Sequence, residues 1–233
     1  FFSPYSLYSA LTMTYTGAEG QTATEFEKTL HLPETKEKAP QMMSALKEAL
    51  LTDAKSGDIE LVKFTIANAV WAQLGYPFQP AYLNTLSANY DAGLSLLDYR
   101  KPEEAREIIN RWVEEQTKGR ILDLIPQGSL TADTRMVLTN AIYFKANWAL
   151  PFKESKTVEA PFYLADGSIL SLETMNGQGR YAYLKNKEVQ ILELPYEGGN
   201  FSMLLVMPLD KSLADYEKQL KVDLAQSFDQ EKK

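Results

Sequence analysis

The chain has 233 residues and a formal net charge of −7, with 31 acidic against 24 basic side chains. It has no cysteine and one histidine, which excludes disulfides, thiolate nucleophiles, cysteine-held metal sites and paired-histidine metal sites. An acidic surface repels phosphate, so neither a nucleic acid nor an anionic membrane is expected as a partner.

Apolar residues make up 45% of the chain, ordinary usage for a globular fold of a length that supports its own core. No apolar run reaches about 18 residues, so no transmembrane span is expected. The amino end carries neither a basic leader nor a small-residue cleavage site, so no signal peptide is expected. Both ends break into helical patterns, and the chain reads as incomplete at each.

Ser3-Pro4 starts a helix, with serine as N-cap and proline at the first helical position. Leu7, Ala10 and Leu11 carry it over 4–16, and Gly17 stops it. Thr22-Ala-Thr-Glu25 reads as a capping box for a short helix over 22–30 that ends at His31-Leu32-Pro33. A third helix is predicted over 38–51, with Met42, Met43, Leu46, Ala49 and Leu50 on one side. The period then changes. Val62, Phe64, Ile66, Asn68 and Val70 alternate with Lys63, Thr65, Ala67 and Ala69, which predicts one long strand over 59–73. A helix over 79–90 and a short apolar strand over 92–98 follow.

The clearest element is a helix over 102–118. Pro102 opens it, Glu103 and Glu104 occupy its first turn, and Lys118-Gly119 close it. Ala105, Ile108, Ile109, Trp112 and Val113 form a single apolar stripe, so this helix is expected to lie on something flat. A second long strand spans 135–145, with Met136, Leu138, Asn140, Ile142 and Phe144 sharing a face. Further strands are predicted at 158–164, 168–174, 181–184, 189–196 and 201–207, with Glu197-Gly-Gly-Asn200 as a hairpin loop. A last helix is predicted over 212–227. No repeat or linker divides the chain, so one domain over 1–233 is expected. Helices first, long strands next and antiparallel strands last is the order of an α+β fold.

The search for catalytic chemistry finds little. His31 reads as a helix-end residue rather than a proton-transfer group. A hydrolase built on it would need a serine and an aspartate beside that turn. Gly177-Gln-Gly179-Arg-Tyr-Ala182 resembles a dinucleotide-binding loop but leads into a strand, where the chemistry needs a helix N-terminus. The carboxylate pairs Glu103/Glu104 and Glu114/Glu115 lie on solvated helix faces. Asn200-Phe-Ser202 is a formal glycosylation sequon, and equally an asparagine at a turn edge. No cofactor and no metal is expected.

The anomaly is polar residues on apolar faces. Asn140 stands in line with Leu138 and Ile142, and Asn68 with Ile66 and Val70. A buried amide left unpaired costs about 1–3 kcal/mol, so each needs partners, and Ser3 and Ser6 are candidates for Asn140. Two readings stay open. One is a satisfied core bond that fixes strand register. The other is a polar latch where two strands must part, since hydrogen bonds are remade after sliding more readily than interdigitated apolar side chains. Trp148, just beyond the second long strand, is a core anchor or part of the same device.

Several segments resemble one family in its own order. FFSPYSLYSALTMTYTGAEGQTATEF, TIANAVWAQLGYPFQPAYL, IINRWVEEQTKGRILDLIP, VLTNAIYFKANWALPF and VQILELPYEGGNFSMLLVMP are similar to consecutive parts of a serpin. The resemblance covers essentially the whole chain. It implies a large central sheet, called A, with helices packed on it, plus a second antiparallel sheet.

It also implies roles. Ser3, Ser6 and Asn140 match the family's "shutter", and Trp148 matches its "breach", where the reactive loop first enters sheet A. Asn68 is the buried polar residue on the neighbouring strand. The helix carrying Ile108, Ile109 and Trp112 would cover sheet A and yield when a strand is added. The implied activity is inhibition of a serine protease, with a cysteine protease as a further target class. A bait loop is attacked, an acyl-enzyme forms, and the cleaved loop inserts into the sheet. The alternative is a non-inhibitory serpin acting as carrier, chaperone or storage protein.

The family's first helix, its reactive loop, its shutter histidine and its last strands have no counterpart in these 233 residues. The chain by itself is therefore expected to need the remaining C-terminal part of a serpin, and alone to inhibit nothing and to expose apolar strand edges. A strong heparin site is not expected on the helix over 38–51, where Lys38 and Lys47 meet Glu48. Family resemblance makes export the expected location.

Overall fold

The long period-two runs lie side by side. In the computed structural model, which describes residues 3–32, 35–56, 59–220 and 224–231, both belong to one sheet. The helices are α1 (Pro4–Gly17), α2 (Gly20–Leu30), α3 (Lys38–Asp53), α4 (Pro80–Tyr90), α5 (Pro102–Gln116), α6 (Leu213–Glu217) and α7 (Leu224–Glu231). The strands are β1 (Lys55–Ser56), β2 (Ile59–Glu60), β3 (Val62–Gln73), β4 (Gly93–Leu97), β5 (Met136–Ala146), β6 (Val158–Tyr163), β7 (Ile169–Thr174), β8 (Tyr183–Lys185), β9 (Val189–Pro195) and β10 (Ser202–Pro208). Contacts divide the chain into two units. One joins residues 1–52 and 63–145; the other joins 53–62 and 146–233. Among the described residues, no helix is long and apolar enough to cross a membrane.

The first unit is a sheet between two helical layers. Its strand order is β4-β3-β5. β3 and β4 are parallel, from Ala69 opposite Gly93 to Gln73 opposite Leu97, and α4 makes the crossover that a parallel pair needs. β5 flanks β3 on its other edge. Gln73 N donates to Arg135 O at 2.8 Å, Asn140 meets Asn68, and Phe144 meets Phe64, so the two strands run in opposite directions.

Alternation along β3 then feeds two cores. Ala69 and Trp71 pack with Leu97, Tyr99 and the α5 residues Ala105, Ile109 and Val113, with the Trp112 ring edge-on to Trp71 at 5.6 Å. Val70 faces the other way, among Met13, Met43, Leu86, Tyr90 and Ala92, and Met136 and Leu138 of β5 join it there. Gly17 ends α1 where a side chain would press on the neighbouring helix, since a Cβ there would sit 3.0 Å from the Tyr82 ring.

Several expectations give way to packing. The Thr22–Glu25 capping box does not form. Gly20, at φ 57°, turns the chain into α2 two residues early, Glu19 is the N-cap, and Thr22 lies inside the first turn. On α3 the buried residues are Ala39, Pro40 and Met43, whereas Met42 and Leu46 are exposed. The predicted 59–73 strand is broken at Leu61, because Ile59–Glu60 pairs instead with Lys55–Ser56. The predicted last helix is two helices, α6 and α7, and residues 221–223 between them lie outside the described residues.

Tyrosines crowd the helical layer. Burial pushes the hydroxyls of Tyr5, Tyr15, Tyr82 and Tyr99 up to about 12, with a hydrogen bond from Tyr15 to Glu27 adding to the effect there. In the unfolded chain a tyrosine ionises near pH 10. The folded state prefers the protonated phenol, so this contribution to stability is whole below pH 10 and is lost as the pH rises through about 12. An alkaline titration is expected to show tyrosinate absorbance from these residues rising together with loss of circular dichroism. Early, non-cooperative ionisation of all tyrosines would contradict this burial.

In the second unit β8, β9 and β10 form an antiparallel sheet with β9 in the middle. Val189 and Ile191 pack with Phe228 of α7, joined by Leu184, Leu204 and Val206. The Glu197–Asn200 loop turns through Gly198 and Gly199 at φ 90° and 77°. Gly198 is also in a tight place, since a Cβ there would meet Leu61 Cδ1 at 2.5 Å. Asn200 Nδ2 donates to Asp53 O at 3.0 Å. β6 and β7 form a separate hairpin whose Val158, Phe162, Ile169 and Leu172 are exposed.

Gly177 and Gly179 lie in irregular chain between β7 and β8, with no helix after them. They make room for neighbours, because a Cβ would press on Phe152 at Gly177 and on Leu150 at Gly179.

Candidate functional site

Two amides meet inside the sheet. Asn68, 5% exposed, and Asn140, half-buried, face each other across β3 and β5. Asn140 Nδ2 donates to Asn68 Oδ1 at 2.7 Å, and Ser9 Oγ of α1 donates to the same oxygen at 3.5 Å. Asn68 Nδ2 donates to the carbonyl of Tyr90, at the end of α4, at 2.8 Å. One side chain thus ties two strands and two helices. Asn140 Oδ1 is buried and has no partner among the described residues. A buried acceptor in that state costs about 1–3 kcal/mol and is a ready partner for a donor.

The serines fall differently from expectation. Ser3 is the N-cap of α1, and its Oγ accepts from Ser6 N at 3.2 Å. Among the described residues, neither Ser3 nor Ser6 has a side-chain bond to Asn140; the bridge runs through Asn68, and Ser9 is the α1 serine that reaches it. The serines stand three apart on one helical face, and only the one level with Asn68 contacts it. Ser9 and Thr12 are both fully buried, with Thr12 Oγ1 donating to Tyr8 O at 2.9 Å. Two polar residues on the core side of α1 were the signal that the sequence reading passed over.

A second side-chain tie joins β3 and β5 on the opposite face. Trp71 Nε1 donates to Thr139 Oγ1 at 3.0 Å, and Tyr99 OH donates to Trp71 O at 2.8 Å. The hydroxyl at position 139, next to Asn140, serves the α5 side as the amide serves the α1 side.

α5 covers that side. Ile109 is fully buried and Trp112 lies against the core, but Ile108 is 43% exposed. The expected stripe is one residue too wide, because Ala105, Ile109 and Val113 already form the row that meets the flat sheet. Asn110, on the same helix and 6% exposed, clasps the chain that follows. Its Nδ2 donates to Asp123 Oδ1 at 2.6 Å and Ile125 O at 3.0 Å, and its Oδ1 accepts from Ile125 N at 2.9 Å. Arg106 binds Glu103 and Asp123, each at 2.8 Å, and holds the Glu103 carboxyl below its usual range.

Trp148 belongs to the second unit. Its ring stacks on Tyr196 at 4.5 Å and stands edge-on to Phe152 at 6.2 Å. The backbone of the same stretch pairs with the end of β9, through Ala149 N to Pro195 O at 2.9 Å and Glu197 N to Asn147 O at 2.8 Å. A cavity of about 450 Å³ opens beside it, lined by Asn147, Trp148, Phe152, Met175 and Glu197. Trp148 is therefore an aromatic anchor at a corner of backbone pairing. His31 is exposed and caps α2 in the left-handed conformation, at φ 51°. Among the described residues, no three acidic or histidine side chains are placed to hold a metal ion.

Known proteins match this arrangement. The family model "Serpin (serine protease inhibitor)" matches residues 1–233. A serpin-like protein of Methanosarcina mazei is 36% identical over 95% of this chain and 51% of its own length. Leukocyte elastase inhibitor of Bos taurus is 36% identical over 90% of this chain and 55% of its own. The structure of thyroxine-binding globulin in complex with thyroxine superposes with a TM-score of 0.85 at 26% identity, over 100% of this chain and 63% of that one. The chain spans about half the length of the curated relatives it matches. With a family match across all its residues and the expected strands paired in one sheet, the chain belongs to the serpins, a family of inhibitors rather than enzymes.

Proposed function

We propose that this chain is the sheet-bearing part of a serine-protease inhibitor that traps its target by inserting a cleaved loop into the sheet. The observation that carries this reading is the polar bridge of Ser9, Asn68 and Asn140 beneath the edge of the sheet. β5 is an edge strand among the described residues, so one row of its backbone groups is free to take a further strand. Asn140 offers a buried acceptor at the same level. α5 lies over the sheet as a cover tied to its own following loop, so helix and loop can shift together.

The trap follows from these parts. The protease serine attacks a bait carbonyl, forms an ester and releases the new amine. The freed end of the bait then pairs with β5, and the gained ladder and buried side chains draw the protease away before water can cleave the ester.

A second reading is a carrier. It is supported by the likeness to thyroxine-binding globulin, whose structure holds a small ligand. The two readings separate on protein made from the complete gene, titrated against a panel of serine and cysteine proteases. The trap is expected to give a covalent complex that survives denaturing electrophoresis, and a large rise in melting temperature once the bait loop is cut. Cleavage with no complex and no rise would overturn the trap in favour of the carrier. The 233-residue chain alone is expected to form no complex.

A further inference from the structure

The sheet of the first unit has two edges, and β4 forms the one that the trap does not use. Among the described residues β4 pairs with β3 alone. Leu74 N donates to Leu97 O at 2.8 Å across that pairing, so Leu97 turns its backbone groups towards β3. Backbone direction alternates along a strand, so Gly93 and Ser95 point the same way, and Leu94 and Leu96 point outwards. The outer edge therefore presents the N–H and C=O of two leucines. Their side chains lie on the face away from Leu97 and are 46% and 57% exposed. Gly93–Leu97 holds neither a charge nor a proline, the usual guards of an open edge.

This edge fits itself. Leu94-Ser95-Leu96 reads the same in both directions, so a second copy related by a two-fold axis through Ser95 lies antiparallel to it in register. Leu94 then stands opposite the partner's Leu96, and Leu96 opposite the partner's Leu94. Each such pair exchanges two hydrogen bonds, so every outward group of both leucines is used. The leucine side chains fall on one face, where they cover one another from water. The same register brings the Arg100 end of one strand to the Asp91 end of the other. These opposite charges are 73% and 76% exposed, so both remain open to a partner across the axis.

We propose that β4 pairs with β4 of a second copy of this chain, joining two sheets edge to edge in a closed dimer. The contact is small, at the low end for specific association, so a Kd on the order of 10–100 µM is expected. The trap uses the edge of β5, so dimer and trap stand or fall separately.

The test is sedimentation equilibrium on protein made from the complete gene. The mass is expected to rise with concentration from one copy to two and to stop there. The Leu94→Lys/Leu96→Lys double variant gathers like charges on the shared face and is expected to stay monomeric up to about 1 mM. Both positions are exposed, so its melting temperature is expected to be unchanged. A cysteine probe locates the contact. These 233 residues contain no cysteine, and any elsewhere in the gene is replaced by serine. Ser95 faces its own counterpart across the axis, at the short spacing of a non-hydrogen-bonded pair that a disulfide can bridge. Ser95→Cys is therefore expected to oxidise to a linked dimer roughly tenfold faster than Ser87→Cys, a control at an exposed position of α4. Should the lysine variant melt lower, the two cysteine rates decide. A mass of one copy up to about 1 mM, a mass that passes two copies, a dimer untouched by the lysines in a fully folded variant, or equal linkage rates would each overturn the pairing.

Discussion

Replacing Ile109 by alanine is expected to destabilise the fold by about 4 kcal/mol, within the range of large-to-small core changes. Ile109 is fully buried in the row by which α5 meets β3, between Ala105 and Val113 and among Trp71, Leu97 and Tyr99. Truncation removes apolar contact and leaves a void that the stiff sheet beneath cannot collapse to fill. For a chain of this size the melting temperature is expected to fall by roughly 10 °C. Ile108, its neighbour in sequence, is 43% exposed, and the same truncation there is expected to cost less than about 1 kcal/mol. Urea unfolding of the two variants checks the contrast. Equal losses would mean that α5 does not sit on the sheet by the Ala105–Ile109–Val113 row.

Asn68→Ala is expected to cost about 3 kcal/mol, more than either of its partners. One substitution orphans the Tyr90 carbonyl, the Ser9 hydroxyl and the Asn140 amide together. Asn140→Ala removes one bond, but it also removes a buried acceptor that has no partner among the described residues, so its net cost is expected to be about 1 kcal/mol. Ser9→Ala is expected to cost least, because its bond is long at 3.5 Å. A double-mutant cycle on Asn68 and Asn140 is expected to show coupling near 1 kcal/mol. An Asn68→Ala variant within about 0.5 kcal/mol of the parent would remove the polar bridge from the account of this sheet.

The two long strands and the helix that covers them were legible because each repeats a pattern along consecutive residues. Period two in the runs read as strands over 59–73 and 135–145 marked both and put Asn68 and Asn140 on apolar faces, although the first strand begins only at Val62. The α5 stripe likewise announced a helix on a flat support. Errors cluster where a local pattern had more than one satisfactory outcome. Thr22-Ala-Thr-Glu25 satisfies a capping box, yet Gly20 lets the chain enter α2 earlier. Met42 and Leu46 satisfy a helical stripe, yet the core of the first unit reaches α3 through Met43. Asn110 carried no signal at all, because an asparagine on a helix looks solvent-facing until a loop folds back onto it.

The sequence by itself determined the absence of cysteine chemistry, the long strands, the covering helix and the need for a polar bond inside the sheet. The tertiary structure alone decided which groups make that bond. Asn68 and Asn140 are 72 residues apart and Ser9 and Asn68 are 59 apart. Periodicity is a property of neighbouring residues and says which face a side chain takes. The level at which α1 crosses the strands is set by how whole faces pack, so Ser9, rather than Ser3 or Ser6, bonds the bridging amide.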